Sequence, residues 1–125
     1  MKPPDLVPLV VALLSSELDV PVSTRRPEQN DGVEPPARFV VVVPTGGAGR
    51  SDRVLQGLQL TFDCYAPTGG TARTLAMALD GAMYGLPASG IPVSKVTGST
   101  PAADVDPDTN QPRYTATYQL TTITH

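Results

Sequence analysis

Histidine and cysteine are almost missing from this chain of 125 residues. The single cysteine, Cys64, excludes an internal disulfide and a cysteine-based metal site. The single histidine, His125, is the last residue, so neither a Ser–His nor a Cys–His pair is expected within the fold. Charge is also scarce. Only 17% of residues are Asp, Glu, Lys or Arg, and the net charge of −3 argues against a nucleic-acid binder that grips through a basic surface. No apolar run is long enough to cross a membrane. The longest, Leu6 to Leu14, is about half the required length. Pro8 interrupts it, Lys2 is the only basic residue before it, and no small-x-small cleavage site follows. A buried helix is therefore preferred to a signal peptide.

Apolar residues make up 40% of the chain, enough for one core, and 125 residues is the size of one domain. Fourteen prolines and eleven glycines punctuate it. Leu6, Leu9, Val10, Leu13 and Leu14 recur at helical spacing after a possible cap at Asp5, predicting a helix that ends near Leu18. Val7 and Val11 fall off that stripe, so the helix has apolar surface on more than one side and is expected either to be sandwiched or to face another subunit. Val20 to Arg25 predicts a short edge strand, and Arg38 to Val43 a strand covered on both faces. Leu58, Leu60, Phe62 and Cys64 alternate with Gln59, Thr61, Asp63 and Tyr65 as in a strand with one core face.

Thr68 caps a second helix over Thr71 to Leu86, with Leu75, Leu79, Ala82, Met83 and Leu86 inward and Pro87 as its stop. Strands are then expected over Ile91 to Gly98 and Arg113 to Thr124. In the latter, Tyr114, Ala116, Tyr118 and Leu120 share a face. The order α-β-β-β-α-β-β predicts one α+β domain over 1–125, with a mixed or antiparallel sheet of four to five strands and two helices. Flexible loops are expected at about 26–37, 44–53 and 99–112.

Two motifs invite chemistry and do not sustain it. Gly46-Gly47-Ala48-Gly49-Arg50-Ser51 lacks the spacing, lysine and following helix of a phosphate loop, so a hairpin tip is favoured over a phosphate-binding module spanning Gly46–Arg53. Asp104, Asp106 and Asp108 begin like a calcium loop, but Thr109 and Thr115 occupy the positions that require Gly and Glu. No catalytic, cofactor-binding or metal-binding residue is expected, and the chain reads as a non-enzyme. Arginines outnumber lysines seven to two, and arginine suits protein interfaces. Leu6, Val7, Val11, Arg25, Arg26, Arg50 and Arg53 are the candidate interface residues.

The order of parts carries a resemblance. A short apolar helix leads into Val20-Pro21-Val22, and Arg38-Phe39-Val40-Val41-Val42-Val43-Pro44-Thr45-Gly46-Gly47 follows. Leu58 to Ala66 and an alanine-rich helix come next, and Asp106-Pro107-Asp108-Thr109-Asn110-Gln111-Pro112-Arg113-Tyr114 introduces the last strand. This resembles the tail terminator (tail-completion) proteins of long-tailed bacteriophages across nearly the whole chain. The resemblance implies a small α+β subunit of a hexameric ring at the head-proximal end of the virion tail, assembled in the host cytoplasm. Such a ring caps the tail tube, ends its polymerisation and joins it to the head-tail connector, or stopper, protein. DNA passes through its lumen without sequence readout. A head-side connector ring is the neighbouring alternative.

Overall fold

The computed structural model describes residues 6–25, 37–51, 55–107 and 110–123. Helix α1 spans Leu6–Leu18 and leads to the two-residue strand β1, Val22–Ser23. Strands β2 (Phe39–Ser51) and β3 (Leu55–Tyr65) precede helix α2 (Gly69–Tyr84), and a 3-10 turn over Leu86–Ala88 follows it. Strands β4 (Lys95–Gly98), β5 (Ala102–Ala103) and β6 (Arg113–Ile123) complete the domain. The fold is α+β, with one mixed sheet of six strands in the order β1-β2-β3-β6-β4, and β5 also pairs with β6. Only the β1–β2 pairing is parallel.

Both helices lie on one face of the sheet. Alternation along the strands sends Val40 and Val42, then Leu60, Phe62 and Cys64, then Ala116, Tyr118 and Leu120 into that core. Leu6, Val10 and Leu14 meet them from α1, and Leu75, Ala76, Leu79 and Met83 from α2. Each large side chain so buried contributes about 1.5–3 kcal/mol against exposure. The ring of Phe62 meets that of Tyr118 edge-on, with centroids 5.7 Å apart.

Local chemistry accounts for the ends of α2. The Thr68 side chain accepts from the Thr71 N–H while the Thr71 hydroxyl accepts from the Thr68 N–H, a reciprocal capping box. The helix ends at Gly85, before the proline expected to stop it, and Pro87 lies within the 3-10 turn.

Several details depart from the sequence pattern: the sheet has six strands in place of the four to five expected, and the strand expected over Ile91 to Gly98 begins only at Lys95. Residues 44–51, read as part of a loop over 44–53, continue β2, because the ladder to β3 persists through register shifts between Pro44 and Gly46 and between Gly46 and Gly49. Gly46 permits this at φ +104°, where a side chain would be strained. The 99–112 loop contains β5. The Asp104 N–H donates to the Arg113 carbonyl and the Asp106 N–H to the Gln111 carbonyl, so β5 and β6 form a hairpin. On α1, Leu9 is exposed while Val7 and Val11 rest against the core, a rotation of the expected stripe by part of a turn. Of the 26–37 loop, residues 26–36 lie outside the described part, as do 52–54 and 108–109.

Candidate interaction surfaces

The sheet face opposite the helices is built from the alternate side chains of the same strands. Registers Thr61↔Thr117, Gln59↔Gln119 and Thr97↔Gln119 place hydroxyls and amides in rows across β3, β6 and β4. The Thr61 and Thr117 hydroxyls hydrogen-bond at 2.9 Å, and the Gln119 amide donates to Gln59 Oε1 at 3.4 Å. The middle of this face is polar and uncharged.

One corner of the face differs. Phe39 stacks on Tyr65 with centroids 4.6 Å apart, and with Val41 they form a second, small buried cluster. Arg113, directly across from Tyr65 in the ladder, organises the charges around it. Its Nη2 bonds Asp104 Oδ2 at 2.5 Å, its Nε donates to the Asp104 carbonyl at 3.1 Å, and its Nη1 donates to the Tyr65 hydroxyl at 3.3 Å. Nη1 also lies 4.0 Å from Asp63 Oδ2. The Tyr65 hydroxyl donates to Oδ2 of the buried Asp106 at 3.2 Å. Burial alone would lower the Arg113 pKa, but its bonds to Tyr65 and Asp104 and the charge of Asp63 carry it upward. Tyr65 is also held above its ordinary pKa, chiefly by burial. The sequence reading missed this network because its members come from three separate segments. A lone arginine opening a strand behind an acidic loop is its only local signal.

The helix layer carries the other feature. A groove of about 290 Å3 runs between α1 and α2, lined by Leu13, Glu17 and Leu18 on one wall and Met77, Ala78, Gly81 and Ala82 on the other, with Ser89 at one end. Leu9 and Met77 are exposed nearby, at 42% and 46%.

Of the candidate interface residues, Leu6 is 2% exposed and belongs to the chain's own core. Val7 and Val11 are half-buried against that core, and Leu9 is the large apolar side chain that α1 turns outward. Arg25 is exposed beyond β1. Arg26, Arg53 and the side chain of Arg50 lie outside the described residues, so the structure does not gather these arginines into one site.

The Cys64 thiol is pushed up to about 12, first by burial and then by the Asp63 charge, which keeps it protonated and weakly nucleophilic at neutral pH. Among the described residues no three His, Cys, Asp or Glu side chains converge to hold a metal ion. No described helix is long and apolar enough to cross a membrane.

No protein-family model matches the sequence, and no curated protein does either. The fold is similar to that of a chain in the solved virion of a native gene transfer agent particle. The TM-score is 0.62 and the sequence identity 16%, over 90% of this chain and 85% of that one. At that identity the likeness is one of fold, and nearly the whole α+β domain described above takes part in it.

Proposed function

We propose that this chain is a structural virion protein of a phage-like particle, a tail terminator whose copies form a hexameric ring. The ring caps the tail tube, ends its polymerisation and joins it to the connector on the head side. The observation that carries this reading is the fold likeness to a virion chain over nine-tenths of the sequence. The element order that resembles tail terminators supports it. So does the helix layer, whose groove and exposed Leu9 and Met77 suit contact with protein better than with water. Val7, Val11 and Arg25 lie near enough to the surface to take part in subunit contacts.

Light scattering of the purified protein, alone and with the tail-tube subunit, tests the reading. A hexamer-sized ring, free or bound to the tube, is the expected result. A strict monomer that never joins tail tubes at high concentration refutes it. Pull-down by the portal subunit in place of the tail-tube subunit would assign the chain to the head-side connector.

A further inference from the structure

We draw no further inference here: the strongest candidate, the apolar groove between α1 and α2 with Leu9 and Met77 exposed beside it, carries none because nothing in the structure shows what covers it.

Discussion

The Tyr118 hydroxyl donates to Asp80 Oδ1 at 2.6 Å and so ties the middle of β6 to α2 across the core. Tyr118 is fully buried, and Tyr84 packs edge-on against it with centroids 6.1 Å apart. Replacing Tyr118 by Phe keeps the ring packing but leaves a part-buried carboxylate without its donor. The expected loss is about 1–3 kcal/mol, read as a lower urea midpoint with an unchanged slope. An unaltered midpoint would show that water replaces the hydroxyl at no cost.

The same tyrosine figures in the response to alkali. Tyr118 is held above its ordinary pKa by burial and by Asp80, Tyr65 by burial, and Cys64 is pushed up to about 12. Each group loses its proton more easily in the unfolded chain, at about 8.5 for a thiol and about 10 for a phenol. Their stabilisation is therefore complete below those values and drains as pH rises through them towards the folded values. Urea midpoints should fall steadily between pH 8 and pH 11, and Cys64→Ala should flatten the first part of that fall. Midpoints constant to pH 11 would contradict this account.

Gly98 is a glycine for reasons of space. A Cβ there would lie 2.4 Å from Cδ1 of Tyr118, whose ring is fixed on three sides by Phe62, Tyr84 and Asp80. Gly98→Ala should cost about 1–3 kcal/mol through overpacking, seen as a lower melting temperature. Gly81→Ala, where no atom lies within 4 Å of a new Cβ, should raise the melting temperature or leave it unchanged.

Arg113 joins the β5–β6 hairpin to β3. Arg113→Leu removes the cation that Asp63 and Asp104 face and the donor to the Tyr65 hydroxyl, and should cost more than Asp104→Asn, which removes one exposed acceptor. Hydrogen exchange locates the effect. Amides of Asp104 and Asp106 should lose protection in Arg113→Leu while those at the centre of β3 keep theirs. Uniform loss across the sheet would mean that the network supports the whole fold.

Much of this architecture was legible in the residue pattern, and the reasons are local. Leu75, Leu79 and Met83 repeat at helical spacing, and Leu60, Phe62 and Cys64 alternate, because one face of each element meets the core. The Thr68 cap depends on residues three apart. What escaped notice depends on distant partners. Residues 44–51 carry turn-forming glycines and are strand only because β3 lies beside them. The rotation of α1 that exposes Leu9 is set by the sheet and α2 beneath it. The Arg113 network joins positions as much as 50 residues apart, Arg113 and Asp63, so nothing near Arg113 announces it.

Strand β6 is the last described element to leave the ribosome, and it sits inside the sheet between β3 and β4. Until it arrives, β3 has a bare edge and the apolar faces of both helices have no finished floor. Hairpin β2–β3 and the two helices can form during synthesis, but consolidation must wait until translation has passed Ile123. Until then the open edge of β3 and the uncovered apolar faces are the surfaces most exposed to misassociation.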